Sequence, residues 1–189
     1  LPQLTSLLVR LGVTYEILVL TPAADDLTRE AASSHGARLV GVPAGYGAAL
    51  AAGFAEAAGE YLLTMDADLS HPPEIVDCLW RERDHADVTI ASRYVPGGQA
   101  DMGLVRYACS RLLNAAFSRG LDVPIRDLSS GFRLHRGAVI REQDITSRDF
   151  DILQQTVVQA FAEGWRVREI PFAYRPRTQG SSQARVLQV

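Results

Sequence analysis

Apolar positions along this 189-residue chain change their spacing repeatedly, and each change marks an element. Leu4, Leu7, Leu8 and Leu11 fall on one face of a helix over residues 3–12. Tyr15 to Leu20 follows as an apolar run of strand character, ended by Thr21-Pro22. Asp26-Leu27-Thr28 opens a second helix toward Ser34, and Ala37 to Val42 predicts another strand. Gly45-Tyr46-Gly47 leads into an alanine-rich helix from Ala48 to Ala58. Tyr61 to Met65 is a short apolar run bounded by Gly59 and reads as a buried strand. A helix from Pro73 to His85 and a strand from Asp87 to Ala91 continue the alternation. Later the rhythm loosens, with helices at 104–119 and Ile152 to Phe161 and a strand from Arg166 to Ile170. The tail from Phe172 onward carries Pro, Gly, Ser and arginines and reads as a mobile loop over 172–189. Alternating strands and helices predict a single α/β domain over 1–189, its sheet mostly parallel with helices on both faces. Ligands of such sheets gather beyond the carboxyl ends of the strands.

One strand end carries candidate chemistry. The Tyr61 run stops at Asp66-Ala67-Asp68, and Pro72-Pro73 prevents the strand from continuing. Residues i and i+2 of an extended chain project the same way, so the two carboxylates face one spot. Like charges held that close repel unless a cation lies between them. A hard divalent ion, Mg²⁺ or Mn²⁺, suits oxygen ligands and leaves positions for phosphate oxygens, which suggests a nucleotide diphosphate. A solvated aspartate turn ahead of a helix near Pro72 would carry the same residues. The helix at 104–119 has a second ambiguity. Its stripe of Leu104, Val105, Ala108, Leu112, Ala115, Ala116 and Phe117 suits a bilayer surface, although the pattern alone favours packing on the core.

Composition narrows the field. The net charge of −3 argues against a general nucleic-acid binder. All 19 basic residues are arginine, which excludes Schiff-base chemistry, a P-loop lysine and a lysine base. Arginine remains the residue for two-pronged phosphate recognition. Cys78 and Cys109 are too few for a disulfide framework, so a reduced cytosolic setting is the default expectation. No apolar run approaches the roughly 20 residues of a membrane span.

Several blocks then line up in order. They are Asp66-Ala67-Asp68-Leu69-Ser70-His71-Pro72-Pro73-Glu74, Ser92-Arg93-Tyr94-Val95-Pro96-Gly97-Gly98 and Arg126-Asp127-Leu128-Ser129-Ser130-Gly131-Phe132-Arg133. Glu169-Ile170-Pro171 and Arg177-Thr178-Gln179-Gly180-Ser181-Ser182 follow. Together they resemble the family-2 glycosyltransferases that load polyprenyl phosphates, the dolichyl-phosphate mannosyltransferase type, over nearly the whole chain. The resemblance implies a GT-A fold and inverting transfer of a sugar, mannose first, from GDP-mannose or a UDP-sugar to a lipid phosphate. It gives Asp66 and Asp68 the metal and donor diphosphate, with Ser70 standing where a third ligand is often glutamine. Gly45 and Gly47 match a glycine pair near the donor, although a tight strand-to-helix turn explains them equally. Arg93, Arg106, Ser110, Arg133 and Arg177 match residues that hold the acceptor phosphate or close over it. Asp127 would orient Arg133 or an acceptor group, or cap a helix. The helix at 104–119 would lie against the membrane, with peripheral attachment at its cytoplasmic face or through a partner subunit.

The chain also departs from that pattern. The family's first strand would precede Leu1, which would leave a central sheet position unpaired and suggests a fragment. The acidic segment that contacts the nucleoside is replaced by Thr21-Pro22-Ala23-Ala24. A charged hydrogen bond of that kind is worth about 1.5–3 kcal/mol. Gln155 stands for a glutamate and Gln183 for a lysine. These changes leave two other readings: a catalytically weakened relative that binds lipid or a partner, and a transferase of the same fold acting on a soluble acceptor.

Overall fold

The computed structural model describes residues 1–175. Helix α1 (Pro2–Leu11) opens the chain with proline in its first turn, where a missing N–H costs nothing, and stops at Gly12 in the left-handed region. Strand β1 (Leu18–Thr21), helix α2 (Asp26–Ser33), strand β2 (Arg38–Gly41) and helix α3 (Tyr46–Glu56) follow. Asp25 caps α2 by accepting from the Thr28 N–H. Strand β3 (Tyr61–Thr64), helix α4 (Ile75–Arg81) and strand β4 (Val88–Ser92) complete the regular half. The helix predicted to reach His85 tightens into a 3₁₀ turn at Glu82–Asp84.

The second half holds four elements that the apolar pattern did not announce. They are strand β5 (Gln99–Ala100), strand β6 (Arg133–Arg136), helix α6 (Gly137–Glu142) and strand β8 (Ala173–Tyr174). Helix α5 (Leu104–Gly120), helix α7 (Ile152–Ala162) and strand β7 (Val167–Pro171) lie close to expectation.

The sheet is more mixed than predicted. Its four-stranded part runs β3-β6-β4-β7, with β6 antiparallel to both neighbours and β4 parallel to β7. Strand β6 reads Arg-Leu-His-Arg, whose polar residues hid it from a hydrophobic scan. Side chains alternate between two layers, as a pleated strand requires. Val88 and Ile90 join Val139, Val157 and Ala160 on one face, whereas Ala91 and Leu134 join Leu7, Val76 and Leu79 on the other. Leu50, Phe54 and Leu62 extend the first layer toward α6 and α7.

Strands β1 and β2 form a separate parallel pair. Among the described residues β1 pairs only with β2, and β3 only with β6. An open cleft of about 2560 Å³ is lined by both strands, together with residues of α1 and α3. Helix α3 bridges it: Gly53 sits against Leu20 of β1, and Leu50 and Phe54 pack with Leu62 of β3.

Candidate active site

The acid pair sits where the β3 ladder ends. After Thr64 the chain turns through Asp66, Ala67 and Asp68 to Leu69, whose φ of 65° places a non-glycine residue in the left-handed region. Such a backbone costs on the order of 1 kcal/mol and persists where its surroundings enforce it. Two hydrogen bonds do so here. The Ser70 N–H donates to Asp68 Oδ1 (3.0 Å), and the Asp66 N–H donates to His71 Nδ1 (2.9 Å). The His71 ring is buried and stacked on Phe132, with centroids 4.7 Å apart and planes 9° apart. Burial holds this imidazole below its usual pKa, against the opposing pull of Asp66 and Asp68.

The donors present suit a hard ion. Asp66 and Asp68 are half-exposed, and Ser70 Oγ is buried without a hydrogen-bond partner among the described residues. No group of three or more His, Cys, Asp or Glu side chains able to hold a metal occurs among the described residues. Two carboxylates with an orphaned hydroxyl two residues on match an ion that keeps water and takes its other ligands from phosphate. Tyr46 also approaches this turn: a Cβ at Gly131 would collide with its hydroxyl and lie 3.9 Å from Asp66 Oδ1. Burial and the Asp66 charge hold the Tyr46 phenol well above its usual range, so it stays protonated. Its ring stacks on Phe150 at 4.6 Å.

The cationic side is built on Arg93, just past β4. Its Nε and Nη2 donate to the two oxygens of Asp127 at 2.8 and 2.7 Å, and its own N–H donates to Asp127 Oδ2 at 3.0 Å. Nη2 also donates to Ser129 Oγ (2.8 Å). Burial alone would lower the Arg93 pKa, yet the Asp127 hydrogen bonds raise it, so the cation is secured. Its Nη1 makes no hydrogen bond among the described residues. Asp127 is itself wholly buried, and Glu169 braces its loop by accepting the Arg126 and Asp127 N–H groups, each at 2.9 Å. The Arg93 guanidinium carbon lies 5.0 Å from the Tyr94 ring and 5.8 Å from that of Tyr174. From Asp127 to Gly131 is four residues, so the Cα of the residue that holds Arg93 and that of the residue beside the acid turn lie within about 14 Å of each other.

Helix α5 carries two further candidates. Ser110 Oγ accepts from Tyr94 Oη (2.7 Å), which ties it to the Arg93 cluster. Arg106 stands exposed one turn earlier and makes no ion pair among the described residues. The expectation from pattern that α5 packs on the core is overturned: its only buried residue is Asn114. Leu104, Val105 and Leu112 are 87, 80 and 72% exposed, and Leu113 and Phe117 lie open too. No helix among the described residues is long and apolar enough to cross a membrane.

Other candidates sit elsewhere. Arg133 is fully buried in β6, donating to the Leu153 and Leu128 carbonyls (2.7 and 2.8 Å) and to Thr156 Oγ1. Burial without a carboxylate partner pushes it down to about 10, and its role is to tie α7 and the 126–133 loop to the sheet, not to touch an acceptor. Asp127 accordingly orients Arg93 and not Arg133. Gly47 is buried because a Cβ there would collide with the Arg148–Asp149 backbone, so its smallness serves packing. Gly45, exposed at φ 119°, forms the turn into α3. Gln155 accepts from the Ser147 N–H and donates to the Asp144 carbonyl, a pair of bonds that a glutamate could not make. Arg177 and Gln183 lie outside the described residues. The functional reading of the sequence missed His71, Tyr46 and Tyr94. His71 and Tyr94 stand inside quoted motif blocks, but their partners are set by packing.

Fold and site together define a GT-A-like α/β domain with an acid turn at one strand end. A family model described as Glycosyl transferase family 2 matches residues 2–142, and the chain belongs to that family. Dolichol-phosphate mannosyltransferase of Pyrococcus furiosus is 29% identical over 184 residues, covering 91% of this chain and 51% of that protein. The protein of the same name from Saccharomyces cerevisiae is 34% identical over 148 residues, covering 74% and 54%. The chain thus spans about half the length of these relatives. A crystal structure of glucosyl-3-phosphoglycerate synthase from Mycobacterium tuberculosis, in complex with Mn²⁺, UDP-glucose and phosphoglyceric acid, superposes with a TM-score of 0.68 at 18% identity. That likeness covers 95% of this chain and 68% of the other, and it concerns the fold.

Proposed function

We propose that this domain transfers a sugar, mannose first, from a nucleotide diphosphate sugar to a polyprenyl phosphate at a membrane surface, with inversion. The observation that carries the reading is the meeting of opposite chemistries around the 126–133 loop. That loop passes beside Asp66 at Gly131 and grips Arg93 through Asp127, and Arg93 leads by way of Tyr94 to Ser110 on a helix whose apolar face lies bare. A donor diphosphate would sit on the acid side. Mg²⁺ or Mn²⁺ held by Asp66 and Asp68, with Ser70 beside them, would neutralise charge on the departing nucleotide.

The acceptor is a phosphate monoester, whose second pKa of about 6 leaves it dianionic at neutral pH. One of its oxygens attacks the anomeric carbon as the bond from that carbon to the donor phosphate breaks. The lone pair travels with the nucleotide diphosphate, and no proton must be removed. The absence of a histidine base from this reading follows from that balance. Arg93, through its open Nη1, with Arg106 and Ser110 would hold the acceptor phosphate beside another anion. The exposed Leu104, Val105 and Leu112 would rest among lipid head groups, making attachment peripheral, at the cytoplasmic face or through a partner subunit.

The names and titles of the similar proteins support this reading, since one relative is called polyprenol monophosphomannose synthase and several neighbour structures contain Mn²⁺ or Mg²⁺. Incubation with radiolabelled GDP-mannose or UDP-glucose, a short polyprenyl phosphate and Mn²⁺ tests it. Lipid-linked product that disappears in Asp68→Ala is the expected result. No product with any donor, or an Asp68→Ala variant as active as the parent, would sink the proposal.

A second reading, binding without turnover, is favoured by the end of β1. There Thr21 Oγ1 donates to the Ala23 carbonyl, and Thr21-Pro22-Ala23-Ala24 occupies the segment that the family resemblance makes acidic. Calorimetry with GDP and UDP in Mn²⁺ separates the two: tight nucleotide binding counts against a lost donor site.

A further inference from the structure

The candidate reaction leaves one buried polar group without a task. His71 sits at the centre of the acid turn and is 4% exposed. Its Nδ1 accepts the Asp66 N–H at 2.9 Å, so the ring proton resides on Nε2. That nitrogen lies 3.8 Å from Asp66 Oδ2, beyond hydrogen-bond reach, and its N–H acts on the carboxylate as an oriented dipole. One imidazole therefore holds the Asp66 backbone and faces its carboxylate. Aromatic contacts fix the ring in turn: Phe132 stacks on it from the 126–133 loop, and Phe172, between β7 and β8, meets it edge-on at 6.0 Å.

We propose that His71 is the positioning residue of the divalent-ion site, setting the Asp66 carboxylate through the Asp66 amide. This rests on the reading of Asp66 and Asp68 as metal ligands and adds a residue that touches neither metal nor substrate. The physical reason lies in the backbone. Asp66 lies two residues past Thr64, the last ladder residue of β3, so its N–H is not held by a neighbouring strand. Leu69, three residues on, carries a strained φ. Without the Nδ1 acceptor the peptide before Asp66 is free to rotate, and rotation swings the carboxylate. Groups that orient metal ligands from behind typically contribute 10- to 100-fold in affinity. The same ring also couples the two sides of the cleft, because Phe132 belongs to the loop whose Asp127 holds Arg93.

The test compares three variants by Mn²⁺ titration, read as the electron paramagnetic resonance signal of free Mn²⁺, beside thermal melts. Asn and Leu have nearly the same shape, and both lose the ring, but only Asn offers an acceptor near the Nδ1 position. Phe keeps the ring and its stacking and offers no acceptor. His71→Leu and His71→Phe are expected to bind Mn²⁺ 10- to 100-fold more weakly than the parent. His71→Asn should stay within about threefold of it while melting as low as His71→Leu. Equal Mn²⁺ binding by His71→Leu and His71→Asn, or binding that tracks the melting temperature across all three, overturns the assignment. The comparison of Leu with Asn stands even if His71→Phe fails to fold. Failure of the parent to take up Mn²⁺ would instead remove the metal site itself, and the role of His71 with it.

Discussion

Asp127 offers the sharpest test of how the cationic side is built. It is wholly buried and accepts three hydrogen bonds from Arg93 and one from Ser129 Oγ. Arg93 keeps only 13% of its side chain exposed, so removing the carboxylate strands a cation that water can barely reach. Breaking a buried pair by deleting one partner costs about 3–5 kcal/mol. With a urea m-value of about 2 kcal/mol/M, Asp127→Ala should move the unfolding midpoint down by about 1.5–2.5 M at unchanged slope. The double variant Arg93→Met/Asp127→Leu removes both charges and should recover most of that loss, because an apolar pair of similar volume avoids the desolvation penalty. Transfer activity should fail in both, since the recovered protein lacks the guanidinium. A midpoint shift under about 0.5 M for Asp127→Ala, or a double variant no more stable than the single one, would refute the reasoning. The first outcome would mean the pair is solvated, and the second that the loop is held by something other than charge.

Three further outcomes follow from contacts described above. Asp87 accepts hydrogen bonds from Arg166 and Arg136, and the Arg166 hydrogen bonds hold its carboxyl below the usual range. Its contribution is therefore present above the unfolded pKa near 3.9 and lost as pH falls through the lower folded value. Urea midpoints between pH 5 and pH 2 should fall with acid in the parent and fall less steeply in Asp87→Asn, and parallel curves would contradict this. Gly47→Ala forces a methyl into the Arg148–Asp149 backbone and threatens the bond from the Ala48 N–H to the Arg148 carbonyl, so a loss of about 2–4 kcal/mol is expected by urea unfolding. Leu104→Glu/Leu112→Glu should leave the melting temperature within about 2 °C of the parent. It should weaken liposome flotation by about a hundredfold, since two leucines are worth about 3 kcal/mol or more when buried.

The regular half of the fold was legible because its strands are apolar runs and its helices follow them in alternation. β6 was not, since its burial is carried by Arg133 and His135. A strand covered on both faces can hold polar residues only when packing supplies partners, and Arg133 finds them at Leu128, five residues back, and on α7 at Leu153, 20 residues on. The same fact explains the misplaced site role of Arg133. A motif fixes which residue stands at a position, but the direction of the side chain depends on strand parity. In β6 that parity sends Arg133 and His135 to one face and Leu134 to the other.

The acid pair was readable for the opposite reason: its geometry is local. Two aspartates one residue apart at a strand end need only the turn between Thr64 and Ser70, and that turn closes on its own atoms through the Ser70 N–H and the His71 ring. The proposed acceptor side is assembled from segments up to 42 residues apart in the case of Asp127 and Glu169, and 34 in the case of Arg93 and Asp127. Such a site tolerates change in any one segment only if the others keep their carboxylates and guanidiniums in register. Under the proposed function, the Arg93–Asp127–Glu169 chain would serve the acceptor, while Thr21-Pro22 stands where the family resemblance puts an acidic nucleoside contact. On the same proposal, GDP- and UDP-sugars should therefore differ little as donors, which competition between them in the transfer assay measures; a strong preference for one base would contradict this.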